Sequence, residues 1–118
     1  MIRITSLDEM NEFVSSNKLA LIGFVDSSKE ADRVIIRVLN YLEGRIGTHI
    51  SFALCDVREA REVAKVLALT KTPYIKLYLN GRSIFEQEGS FNSFERDVYV
   101  LRISIKEVLR SKGIWLKF

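Results

Sequence analysis

A chain of 118 residues with 47% apolar and 28% charged side chains, one proline and six glycines amounts to a single domain. It can bury a core and is too apolar for disorder. One cysteine, Cys55, excludes an internal disulfide, and one histidine, His49, leaves too few soft ligands for a zinc or iron–sulfur site. The net charge of +3 is uneven: Met1 to Asp56 carries six basic and eight acidic residues, whereas Val57 to Phe118 carries twelve and seven.

The start, Ile2-Arg3-Ile4-Thr5-Ser6, lacks the apolar stretch of a signal peptide, and no apolar run approaches a bilayer span, so a cytoplasmic location is expected. Ser6 with Glu9 three places on reads as a capping box opening a short helix to about Ser15. Leu19 to Val25 is continuously apolar, the pattern of a strand buried on both faces. Ser27 and Ser28 are N-cap candidates for a long helix striped by Val34, Ile35, Val38, Leu39, Leu42 and Ile46, ending near Gly44 or Gly47.

Ile50 to Cys55 reads as a second interior strand, and Ala60, Val63, Ala64 and Leu67 mark another helix. Strand and helix alternating in this way imply parallel pairing through right-handed crossovers. After Thr72-Pro73 the pattern changes. Tyr74 to Leu79 and Arg82 to Glu86 flank Asn80-Gly81, a hairpin turn in which both central residues tolerate positive φ. Asn92 or Ser93 then caps a last helix striped by Phe94, Val98, Leu101, Ile105 and Val108.

This order resembles the thioredoxin-like superfamily over about Ser6 to Arg110, with residues 111–118 an apolar and basic tail to a single domain spanning 1–118. The residues carrying the resemblance are Leu21 to Val25, Leu54-Cys55-Asp56-Val57, Thr72-Pro73 with the strand and Asn80-Gly81 after it, and Gly89. It implies an α/β thioredoxin-like fold: a mixed central sheet with a C-terminal antiparallel hairpin and helices on both faces. It also implies a cis peptide before Pro73 that frees the backbone of Thr72 to pair with an extended ligand.

The sequence departs from that family at its redox motif. Cys-x-x-Cys belongs at the start of the helix after the central strand, where the helix N-terminus lowers a thiol pKa. Here Lys29-Glu30-Ala31-Asp32 aligns with it, and Gly23 falls where the family has a buried carboxylate. Cys55, beside Asp56 in a strand, reads as a structural thiol, and His49 as loop polarity.

The function expected on these grounds is a redox-inactive protein-binding or assembly module with no catalytic residue, cofactor or metal. Its ligand or peptide groove would comprise Ser27, Ser28, Lys29, Glu30, Thr72, Pro73, Gly89 and Ser90. The alternative is a glutathione or small-thiol enzyme with Ser27 or Ser28 orienting the sulfur at the helix N-terminus. Tyr99, Val100, Ile103, Trp115 and Phe118 form a candidate interface with a protein partner or with a second copy in a homodimer. Five basic residues face one acidic residue between Arg102 and Phe118, but acidic residues interspersed along the chain argue against nucleic acid, and the tail is too short and too sparsely basic to anchor in a membrane.

Overall fold

The seven consecutive apolar residues of β2 (Leu19–Val25) are all buried and form the middle of a five-stranded sheet in the computed structural model, which describes all residues from Met1 to Phe118. Around it, in chain order, lie β1 (Ile2–Arg3), α1 (Leu7–Ser16), α2 (Glu30–Ile46), β3 (Ser51–Asp56), α3 (Arg61–Val66), β4 (Tyr74–Leu79), β5 (Arg82–Glu88) and α4 (Phe94–Ser111). The strands run in the order β1-β3-β2-β4-β5. β3 pairs in parallel with both β1 and β2, while β4 runs antiparallel to β2 and β5. This is the thioredoxin-like α/β fold, with the mixed sheet and C-terminal hairpin that the sequence implies.

Alternation along β2 divides the interior in two. Leu19, Leu21 and Val25 face a core shared with Ile35, Leu39 and Leu42 of α2 and Leu101 and Ile105 of α4, while Ala20, Ile22 and Phe24 face Met10 and Phe13 of α1, Cys55, and Val63 of α3. Helices therefore cover both faces. Gly23, on the α2 face, sits under Leu39: a Cβ there would lie 2.4 Å from Cδ1 of that fully buried side chain, which would have to shift to admit it.

The local signals account for most boundaries. Ser6 caps α1, its Oγ accepting from Glu9 N at 3.1 Å, and Ser93 caps α4, accepting from Arg96 N at 3.4 Å. Asn80 and Gly81 turn with φ of 50° and 84°, as a two-residue hairpin requires. Gly113, at φ 77°, reverses the chain after α4, and Ile114 N donates back to Leu109 O at 2.9 Å. The tail then returns along its own domain, placing Ile114, Leu116 and Phe118 against the α2–α4 core.

Three features differ from the sequence reading. The polar-looking Ile2-Arg3 forms β1, because pairing with Ala53 and Leu54 satisfies its backbone at the sheet margin. Hairpin strand β5 runs two residues further than expected, to Glu88, and carries a bulge: Leu77 pairs Phe85 and Tyr78 pairs Ser83, leaving Ile84 as the extra residue. Neither serine caps α2. Its N-cap is Lys29, without a side-chain cap, and the two serines lie upstream of it with their hydroxyls donating to Asp56 and Asp26.

Candidate functional site

The β2–α2 loop, the end of β3 and the segment before β4 meet at one end of the central strands. Ser27 Oγ donates to Asp56 Oδ2 at 2.5 Å, tying the loop to β3, and Arg58 N donates to Asp56 Oδ1 at 3.0 Å. Ser28 donates to Asp26 Oδ1 twice, from Oγ at 2.6 Å and from N at 3.0 Å. These two bonds, side chain first, hold the Asp26 carboxyl below its ordinary range, so it stays ionised. Arg33, in the first turn of α2, donates from Nη1 to Ser27 O at 3.1 Å and fixes the loop from its far side.

At the position of the family's second cysteine stands Asp32, 1% exposed, whose Oδ2 accepts from Asp26 N at 2.7 Å while Oδ1 has no partner. Lys29, at the position of the first, is exposed and donates from Nζ to Thr72 Oγ1 at 3.5 Å. Thr72 precedes Pro73 through a cis peptide bond, and its own N–H and C=O make no hydrogen bond within the chain. Gly89 N donates to Pro73 O at 2.8 Å, bringing the end of β5 alongside. A shallow cleft of about 140 Å³ runs here, lined by Asp26, Lys29, Val57, Leu69, Lys71 and Thr72 among others. A wider hollow of about 550 Å³ opens on the other side of Val57, but its Ser27 and Asp56 satisfy each other.

Of the groove residues expected from sequence, Lys29, Thr72, Pro73 and Gly89 are brought together. Glu30 is exposed at the start of α2 with no hydrogen-bond partner for its side chain. Ser90 is turned to structural use: its Oγ donates to Asp97 Oδ2 at 2.6 Å and accepts from Asn92 N at 2.9 Å. Asp97, fully buried, also accepts from Phe91 N at 3.0 Å and so anchors the entry to α4. Sequence reasoning passed over Asp97 and Arg33. An acidic residue one turn after Ser93 was the available signal for the first.

Cys55 lies opposite Phe24 in the sheet, fully buried. Burial first, then the Asp56 and Glu59 charges, push its thiol up to about 11. A thiol so placed is neutral at physiological pH and closed to a substrate disulfide. Among the candidate interface residues, Tyr99 and Trp115 are 60% and 72% exposed, while Val100, Ile103 and Phe118 are half-buried. No helix is long and apolar enough to cross a membrane.

No protein-family model matches the sequence. A thioredoxin of Coprinus comatus is 28% identical over 88 residues, which is 74% of this chain and 83% of that protein. Among solved structures, Plasmodium falciparum thioredoxin superposes with a TM-score of 0.79 at 23% identity, over 91% of this chain and 98% of its own. Mitochondrial thioredoxin 3 from Saccharomyces cerevisiae follows at 0.77 and 22%, over 91% and 94%. The chain has the thioredoxin-like fold and is similar to thioredoxins in sequence, while lacking Cys-x-x-Cys.

These relatives correct the functional expectation. They are thioredoxins by name, proteins of redox chemistry, and point neither to a redox-inactive binding or assembly module nor to a small-thiol enzyme. The second alternative also loses its physical basis, because the Ser27 and Ser28 hydroxyls are committed to Asp56 and Asp26.

Proposed function

We propose that this chain promotes thiol–disulfide exchange on polypeptide substrates, the chemistry associated with its thioredoxin relatives, with the attacking thiol supplied by a second molecule. The observation carrying this reading is the unpaired backbone of Thr72 with the ammonium of Lys29, the N-cap residue of α2, 3.5 Å from its hydroxyl. An extended segment bearing a cystine pairs with the Thr72 N–H and C=O as an added strand would. A thiolate of a soluble dithiol attacks one cystine sulfur, and the S–S bond breaks. The sulfur that leaves does so as a thiolate beside Lys29 and the N-terminal dipole of α2, and both favour that charge. The second thiol of the reductant then closes a disulfide with the first, releasing the other substrate sulfur, and its protons pass to the substrate thiolates. Nothing is routed through Cys55.

The test is the rate at which dithiothreitol reduces a cystine-bridged peptide at neutral pH, with and without the full chain. The expected result is an acceleration that saturates with protein, is lost in Lys29→Glu and is kept in Cys55→Ala. An unchanged rate at saturating protein overturns the reading, as does an acceleration that disappears in Cys55→Ala.

A further inference from the structure

The outer face of α4 and the returning tail carry a second candidate surface, far along the chain from Lys29 and Thr72. Arg102, Lys106 and Arg110 recur every four residues, about 6 Å apart along the helix, and so line one face. Each stands over an aromatic ring: the Arg102 Cζ is 6.0 Å from the Tyr99 centroid, the Lys106 Nζ 5.4 Å from Phe118, and the Arg110 Cζ 5.1 Å from Trp115. Arg102 Nη1 also donates to Phe118 O at 3.1 Å, which keeps the tail on the helix. Rings and cations therefore alternate over a fixed surface, with Tyr99 and Trp115 facing solvent.

No acidic side chain pairs with any of these cations. The chain's ion pairs are Met1 with Glu43, Arg3 with Glu59, and Lys76 with Glu86, all elsewhere. From Val98 to Phe118 there are five basic residues and only one acidic one, Glu107. Of the two acidic residues in the first turn of α4, Asp97 is buried and consumed by Ser90 and Phe91, while the exposed Glu95, four residues before Tyr99, marks the start of this face. Acidic residues, the objection to nucleic acid drawn from the sequence, are sparse here: Glu95 stands at the start of the stripe and none interrupts its four-residue steps from Arg102 to Arg110.

We propose that this face binds single-stranded nucleic acid, with phosphates along Arg102, Lys106, Arg110 and Lys117 and bases stacked on Tyr99 and Trp115. Charge alone would suit any polyanion. The flat rings between the cations favour a ligand that presents flat bases between its phosphates, as an unpaired strand does.

Trp115 is the only tryptophan, so its emission reports on this surface alone. The experiment titrates the full chain with a fluorescein-labelled 15-nucleotide oligodeoxythymidine, following anisotropy and Trp115 emission at several salt concentrations. The expected result is saturable binding with Trp115 quenching and a slope of log affinity against log salt of about −0.7 per phosphate engaged, or roughly −2 to −3 here. Lys117→Glu, at the tail tip, weakens binding by about tenfold, and Trp115→Ala by about fivefold with the salt slope kept. Lys65→Glu, on α3 against the other face of the sheet, leaves the oligonucleotide affinity unchanged. Absence of binding at 50 mM salt overturns the proposal. So does equally tight binding of poly-glutamate, or of phosphatidylserine vesicles, with the same Trp115 response, since that assigns the face to acidic protein or membrane.

Discussion

Ser27 and Asp56 join the end of β2 to the end of β3 through a 2.5 Å hydrogen bond from hydroxyl to carboxylate. That bond holds the loop that delivers Lys29 to Thr72. Ser27→Ala removes a donor to a buried carboxylate that then keeps only the Arg58 N–H, and the expected loss is about 1–3 kcal/mol of stability in urea unfolding. An unchanged midpoint would show that Asp56 finds water instead.

Gly23 separates space from ancestry. A glycine inside a strand is ordinarily improved by alanine, but here the new Cβ meets Leu39 Cδ1 at 2.4 Å in a fully buried layer. Gly23→Ala is expected to cost about 1–3 kcal/mol, and Gly23→Asp more, because it adds an unpaired buried carboxyl to the same clash. Chemical denaturation of both variants checks the order. A Gly23→Asp protein as stable as the parent would mean that α2 moves freely.

Cys55 should resist modification while the chain is folded. With its thiol near 11, about one molecule in a thousand is a thiolate at pH 8, and the sulfur is shut between β2 and α3 besides. Reaction with an aromatic disulfide reagent should wait for unfolding, so its rate in urea follows the unfolded fraction. Immediate labelling in buffer would contradict this burial.

Tyr74 and Glu86 give the pH prediction. The phenol donates to Glu86 Oε1 at 2.6 Å, and this bond, more than burial, raises Tyr74 to about 12, while the same bond lowers Glu86. A raised acid stabilises the fold fully below its unfolded value of 10, and that contribution fades as the pH climbs to about 12. The lowered Glu86 contributes above its ordinary value of 4.5 and loses that contribution as the pH falls through its folded value. Ultraviolet titration should show Tyr74 ionising late alongside Tyr78, which burial also raises, and Glu86→Gln should bring the Tyr74 step earlier.

Much of the fold was legible because its signals are local. The unbroken run Leu19 to Val25, the Asn80-Gly81 turn and the Ser6 and Ser93 caps each specify geometry within a few residues. The site was only partly so. Lys29, Thr72, Pro73 and Gly89 were named in advance, but the fates of Ser27, Ser28 and Ser90 depended on carboxylates 29, 2 and 7 residues away. A serine ahead of a helix looks like a cap until a nearer acceptor is visible. β1 was missed because two residues carry no periodicity, and its existence depends on β3 being there to receive it. The alternation of rings and cations on α4 likewise needed the tail to fold back before Phe118 could meet Lys106.

The extra residue Ile84 reaches beyond the hairpin that contains it. By offsetting the pairing between Tyr78 and Leu77, it turns Arg82 to the Leu79 side of the sheet and Glu88 to the Tyr74 side. Two outer margins laid antiparallel could not then match these opposite charges on a common side. A lone inserted side chain thus acts as a terminator, discouraging one molecule from continuing another's ribbon where hydrogen-bonding groups would otherwise invite fibrous growth.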